Sequence, residues 1–290
     1  MILPLKSQKT KTLQVKENGR SSDVVSPNFI LGCNAGCSNT YCYTRRFNRN
    51  FIYVNENIDE ILNKLTEYAN SCILPKIPNQ TDDKYYTVDI GCDVDINYHF
   101  KDYNWDKVFN YFINQNILKA TFATKFVNYQ LLKYGNERLR IRFSLMPQNI
   151  SDILEPNTSN IYKRIEAIDK FIDSGWDVHI NFSPIIYYDN WLEDYKKLFT
   201  YLNFIIKNKD KIKCECIFLT HNENLHNINL SNGNKEAESL LWKTELQEIK
   251  KSQYGGDNLK YQWEFKNKLI KQFKELHQEI IPWCQIRYIF

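Results

Sequence analysis

Cys33, Cys37 and Cys42 fall within ten residues, in the run Gly32-Cys33-Asn34-Ala35-Gly36-Cys37-Ser38-Asn39-Thr40-Tyr41-Cys42-Tyr43. Thiolates this close on one loop usually hold a metal. Three such ligands can grip three irons of a four-iron cluster and leave the fourth iron open for chemistry. A structural zinc site would need a fourth ligand, normally from a second Cys or His pair at matched spacing. Cys214 and Cys216 are separated by one residue, and Cys72, Cys92 and Cys284 stand alone. Coincidental loop cysteines and a structural zinc remain open on spacing alone. Tyr41 and Tyr43 place redox-capable phenols on both sides of Cys42. Cys214 and Cys216 alternate along a strand-like run, which favours core packing. The five histidines show no ligand spacing.

The elements that must position these residues follow from periodicity. The chain has 290 residues, 43% of them hydrophobic and 25% charged, with a net charge of +4. That describes an ordinary globular protein rather than a disordered chain. No apolar run approaches the ~18 residues of a membrane helix, and no signal-peptide core is visible, so a cytoplasmic location without membrane contact is expected. In a reducing compartment eight cysteines read as ligands, catalytic thiols or core residues rather than as a disulfide framework. Residues 1–26 lack periodicity and carry Lys6, Lys9, Lys11, Lys16 and Arg20; an extended or mobile basic arm is expected. Arg45, Arg46 and Arg49 follow the cysteine loop, and Lys250 and Lys251 precede the turn Tyr254-Gly255-Gly256. Clustered cations favour a polyanionic substrate, the ordinary alternative being solvated surface.

Strand-like runs at 86–90, 119–123, 140–145, 178–182 and 214–219 alternate with helical patterns such as 161–172 and 191–206, and a final strand is expected over 285–290. This alternation predicts βαβ units and a parallel sheet, with about six units in a partial (β/α)6 TIM-like barrel. Active residues of such barrels gather at strand C-terminal ends. The cysteine loop follows a first strand at Phe29-Ile30-Leu31, Cys92 the second, Lys125 the third and Ser144 the fourth. Residues 27–290 are expected as one domain, with a polar insertion over about 221–263 ending in a hairpin near 250–263.

The residues also carry a resemblance. The cysteine loop resembles the cluster loop of the radical S-adenosylmethionine superfamily, and the chain is similar to its spore photoproduct lyase family. The likeness rests on Tyr41-Cys42-Tyr43, on Cys92 in Asp89-Ile90-Gly91-Cys92-Asp93-Val94-Asp95, and on Thr124-Lys125-Phe126 and Arg142-Phe143-Ser144. It continues through Glu155-Pro156-Asn157-Thr158, Lys163-Arg164-Ile165-Glu166-Ala167, Pro184-Ile185 and Trp191 to Tyr254-Gly255 and Lys260-Tyr261. The cysteine spacing is three and then four residues, where the family has three and then two. Val94 stands at a family serine and Gln253 at a family arginine.

The resemblance implies a [4Fe-4S] cluster on Cys33, Cys37 and Cys42, with S-adenosyl-L-methionine held by Lys125, Ser144 and Asp95. It implies a lyase that repairs a methylene-bridged thymine pair in UV-damaged double-stranded DNA through hydrogen abstraction by a 5′-deoxyadenosyl radical. Cys92 would return a hydrogen atom, and Tyr41 and Tyr43 would relay it. Tyr254, Lys250 and Lys251 would meet the DNA, and a flavodoxin or ferredoxin would supply the electron. Val94 and Gln253 favour an alternative, a radical enzyme of the same fold acting on another nucleic-acid base or a peptide. A non-catalytic, metal-containing nucleic-acid-binding module is the third reading.

Overall fold

The computed structural model describes residues 2–42, 50–251 and 256–290, apart from the side chains of Ser38 and Asn39. The elements run in the order β1 (Leu5–Gln8), β2 (Lys16–Glu17), β3 (Val24–Val25), β4 (Ile30–Leu31), β5 (Ile52–Asn55), α1 (Ile58–Ser71), β6 (Tyr86–Asp89), α2 (Trp105–Ile113), β7 (Leu118–Thr124) and β8 (Leu139–Ser144). They continue with α3 (Gln148–Leu154), α4 (Ile161–Asp173), β9 (Asp177–Ile185), α5 (Trp191–Ile205), β10 (Lys213–Phe218), β11 (Thr220–His221), α6 (Glu223–Ser231), α7 (Lys235–Leu241), β12 (Gln247–Lys251), β13 (Asp257–Tyr261), α8 (Trp263–Ile280) and β14 (Gln285–Ile289). One sheet has eight strands in the order β14-β10-β9-β8-β7-β6-β3-β2; two three-stranded sheets run β1-β5-β4 and β11-β13-β12. The β3–β6, β6–β7, β7–β8 and β10–β14 pairings are parallel.

The chain divides into two compact units: Met1–Asn34 with Phe47–Phe143 and Ala167–His179, and Ala35–Arg46 with Ser144–Glu166 and Ile180–Phe290. In the first, α2 turns Trp105, Val108, Phe109 and Phe112 inward at helical spacing, and the Asn104 side chain accepts the Lys107 amide as its N-cap. Phe109 and Phe122 meet Trp176 edge-on, with ring centroids 5.9 Å apart in each case. In the second unit, α5 and α8 bury Tyr195, Phe199 and Phe273 around Phe182 of β9. Among the described residues no helix is long and apolar enough to cross a membrane.

Several expectations change. Residues 1–26 hold extended strands that are paired rather than loose: β1 pairs parallel with β5 and β3 with β6, and β-branched Val24 and Val25 suit the strand, Val24 being buried. The strand before the cysteine loop, β4, pairs antiparallel with β5 in a separate sheet rather than standing first in the large one. The expected hairpin is longer and starts earlier: β12 and β13 pair from Gln247↔Tyr261 to Lys251↔Asp257, and β11 adds a third strand. The polar stretch before it folds into α6 and α7, with Asn222 capping α6 through the Leu225 amide.

Candidate active site

The cysteine loop is shaped by two glycines. Gly32 has φ +111°, a left-handed conformation that side chains resist. Its amide donates to the Asp93 carbonyl at 3.1 Å, which ties the residue before Cys33 to the residue after Cys92. A Cβ on Gly36 would stand 1.4 Å from the Pro156 carbonyl oxygen, so only glycine admits the backbone here. Gly36–Asn39 form a 3₁₀ turn, after which the Cys42 amide returns to the Cys37 carbonyl at 3.0 Å. The extra length of this spacing is therefore taken up by a closed turn. Cys33 and Cys37 are buried and Cys42 half-buried.

The loop is braced by residues to which the sequence attached no role. The Asn34 amide donates to His99 Nε2 at 3.3 Å, and His99 Nδ1 meets Asp102 at 2.7 Å. The acceptor role of Nε2 assigns the ring proton to Nδ1. The Thr40 hydroxyl donates to the Leu154 carbonyl at 2.6 Å, and the Thr40 carbonyl accepts the Asn229 side-chain amide at 2.6 Å. Asn229 also donates to Glu238, which faces His221 at 3.2 Å and His226 at 2.5 Å.

The Tyr41 hydroxyl donates to Glu155, and burial followed by the charge of Glu155 pushes the phenol's pKa up. Glu155 is paired with Arg164 at 2.8 Å, both side chains fully buried. Arg164 also donates to the carbonyls of Ser144 (2.8 Å) and Ser159 (2.7 Å) and to the Thr158 hydroxyl (2.6 Å). One guanidinium thus organises the Glu155-Pro156-Asn157-Thr158 and Lys163-Arg164 motifs, a use that suits its five fixed donors.

At the C-terminal ends of β6 to β8 the remaining candidates take their places. Asp89 pairs with Arg142 at 2.6 Å and accepts the Gly91 amide. Cys92, in the following turn, is exposed, whereas its expected role calls for a shielded thiol. Asp95 accepts the Thr124 hydroxyl and the Lys125 amide, each at 2.8 Å, and the amides of Asn97 and Tyr98. Its carboxylate therefore anchors the end of β7, and burial holds its pKa up against these donors. Lys125 is half-buried just beyond that end. Ser144 closes β8, and its hydroxyl accepts the Asn181 amide at 3.4 Å. Asn181 Oδ1 is a buried acceptor without a partner among the described residues, and nothing in the sequence singled it out.

Tyr43, Tyr254, Arg45, Arg46 and Arg49 lie outside the described residues. Lys250 and Lys251 are exposed on β12, but each is ion-paired, with Glu248 at 2.8 Å and Asp257 at 2.6 Å. These surface pairs are individually weak, so a stronger anion can displace them.

A family model described as spore photoproduct lyase matches residues 7–290. A spore photoproduct lyase from Bacillus subtilis (strain 168) is 28% identical over 196 residues, 67% of this chain and 54% of that protein. One from Clostridium acetobutylicum is 27% identical over 173 residues, 58% and 48% of the two chains. The chain thus spans about half the length of the curated relatives it matches. Among solved structures, a spore photoproduct lyase double mutant with bound AdoMet and dinucleoside spore photoproduct superposes with a TM-score of 0.85 at 20% identity, over 99% of this chain and 82% of the other. A spore photoproduct lyase complexed with dinucleoside spore photoproduct gives 0.84 at the same identity and coverage. The fold is thereby the one seen in the solved spore photoproduct lyase structures.

Proposed function

The chain belongs to the spore photoproduct lyase family, and from that premise we propose that it is a radical S-adenosylmethionine lyase that repairs a methylene-bridged thymine pair in damaged double-stranded DNA. The observation that carries this reading is the hydrogen bond from Gly32 to Asp93. It makes the backbones of a cluster ligand, Cys33, and of the hydrogen-returning thiol, Cys92, neighbours although 59 positions separate them in the chain.

The donor set fits the cofactors. Cys33, Cys37 and Cys42 supply soft thiolates suited to a [4Fe-4S] cluster. The unsatisfied Asn181 acceptor beside the Ser144 hydroxyl suits the donor groups of S-adenosylmethionine, and Lys125 supplies a cation for its carboxylate. When bound, the pair supplies one-electron cleavage chemistry that yields a carbon radical. The chain's own residues do the rest. Cys92, exposed in the turn after β6, returns a hydrogen atom to the opened thymine pair, and a base turned out of the duplex over it supplies the shielding that this role calls for. Glu155, fixed by Arg164, holds the phenolic proton of Tyr41, so that the phenol can be oxidised without releasing charge into a buried site. Tyr43 completes the relay. Lys250 and Lys251 exchange their carboxylate partners for phosphates while Tyr254 fills the gap at the lesion. A flavodoxin or ferredoxin donates the electron, and the reaction takes place in the cytoplasm.

The test is anaerobic incubation of iron-reconstituted protein with S-adenosylmethionine, reductant and an oligonucleotide bearing the thymine pair. Restored thymine with 5′-deoxyadenosine is expected, whereas cofactor cleavage that leaves the lesion intact would overturn the substrate. Cys92→Ala should keep its iron and still cleave the cofactor, but yield less thymine and more trapped adducts. Clean repair by that variant would remove Cys92 from the mechanism.

A further inference from the structure

Two cysteines outside the loop converge with a histidine in the interior of the second unit. Cys214 and Cys216 lie on one face of β10, His277 in the last turn of α8, and Cys284 just before β14. The three thiol residues are fully buried and His277 is 4% exposed. Cys214 Sγ stands 3.7 Å from His277 Nε2, and the ligand atoms of Cys214, His277 and Cys284 lie within 4.8 Å of one another. A tetrahedral zinc bound through sulfur and imidazole nitrogen requires an S···N separation of about 3.6 Å and an S···S separation of about 3.8 Å. The spacing is thus close to that of a loaded site.

The surroundings hold this geometry. His277 is fixed edge-on by Phe199 and stacked by Phe273, with centroids at 5.9 and 6.4 Å. The Cys284 amide is tied to the Ile281 carbonyl at 3.0 Å. The β10–β14 register shifts between Cys214 and Glu215, an irregularity of the kind that re-aims a side chain. Plain core packing accounts for buried thiols but not for an imidazole aimed at one of them. Cys216 lies on the same strand face as Cys214 but outside this group of three ligand atoms.

We propose that Cys214, His277 and Cys284 bind a zinc ion that fastens β10 to the end of α8 and to the turn before β14. The site is independent of the loop cysteines and of the reaction.

The test uses the full chain with Cys33, Cys37 and Cys42 all changed to Ala, so that the loop cannot take metal, produced in zinc-supplemented medium and dialysed against chelator. About one zinc per chain is expected, and cobalt(II) exchanged into it should show thiolate charge-transfer and intense tetrahedral d–d bands. Adding Cys214→Ser or Cys284→Ser should remove the metal, whereas His226→Ala should retain it. If those serine variants fail to fold, alkylation of the unsubstituted site decides: Cys214 and Cys284 should react once a strong chelator has removed zinc and resist before. Absence of zinc from the loop-substituted protein, metal unchanged in the serine variants, or alkylation indifferent to chelator would each overturn the proposal.

Discussion

Asp82 and Asp95 lie on either side of β6, and the protein drives their carboxyl groups in opposite directions. Burial alone would raise Asp82, but Lys119 and Arg140 hold it down to about 2. They belong to a closed set before the strands begin: Lys119 and Arg140 each bridge Asp82 and Asp177, and His179 also meets Asp177. Asp95, beyond the strand's other end, is pushed up by burial against the donors of Thr124 and Lys125. On β8, Arg140 serves the first region while Arg142 and Ser144, successive residues on the same face, serve the second. The N-terminal ends neutralise charge against charge. Beyond the C-terminal ends of β6 and β7 the first unit keeps a carboxyl perturbed by burial, the pattern of a group with work to do.

Breaking either region should therefore produce different losses. The largest effect is expected from Cys42→Ala, which should bring repair to background and abolish bound iron, with unfolding free energy changed by no more than about 1 kcal/mol. Anaerobic iron analysis beside urea unfolding checks both halves. Arg140→Met should do the reverse. It leaves Asp82 and Asp177 short of a buried partner and should cost about 3–5 kcal/mol, while folded protein still binds iron. A loss confined to activity would erase the contrast between the two ends.

The pH dependence sharpens it. A carboxyl held below its unfolded value contributes stability that is present above that value and is lost as pH falls. For Asp82, stability on the order of 2 kcal/mol should disappear between pH 3.8 and about 2. Asp95, held high, contributes with the opposite sign: its share is present at acid pH and is lost as pH rises through its folded value. Denaturant midpoints across acid pH for the parent and Asp82→Asn should converge as the pH falls; parallel curves would refute the assignment. The smallest effect on folding is expected at Lys125→Ala. Stability should stay within about 0.5 kcal/mol, while S-adenosylmethionine binding weakens about tenfold, or about 1.4 kcal/mol, by equilibrium dialysis.

Much of this was legible in the chain. Strands expected at 119–123, 140–145 and 178–182 appear as β7, β8 and β9, because β-branched and aromatic runs bounded by turns leave little freedom. Local position was equally legible: Cys92, Lys125 and Ser144 were expected at or just beyond strand ends, and they follow β6, follow β7 and close β8. Groups whose partners are distant in sequence were not. His99 finds Asn34 across 65 positions, Asn229 finds Thr40 across 189, and Cys214 finds His277 across 63. No periodicity records such pairs, since a buried polar group is defined by what closes around it. By itself the sequence determined strands such as β7, β8 and β9 and the crowding of three thiols on one loop, because both depend on neighbours along the chain. Only the tertiary structure decided which carboxylates are neutralised, which acceptor is left open for a ligand, and which thiols meet an imidazole, because burial and partnership are set by contacts across the fold.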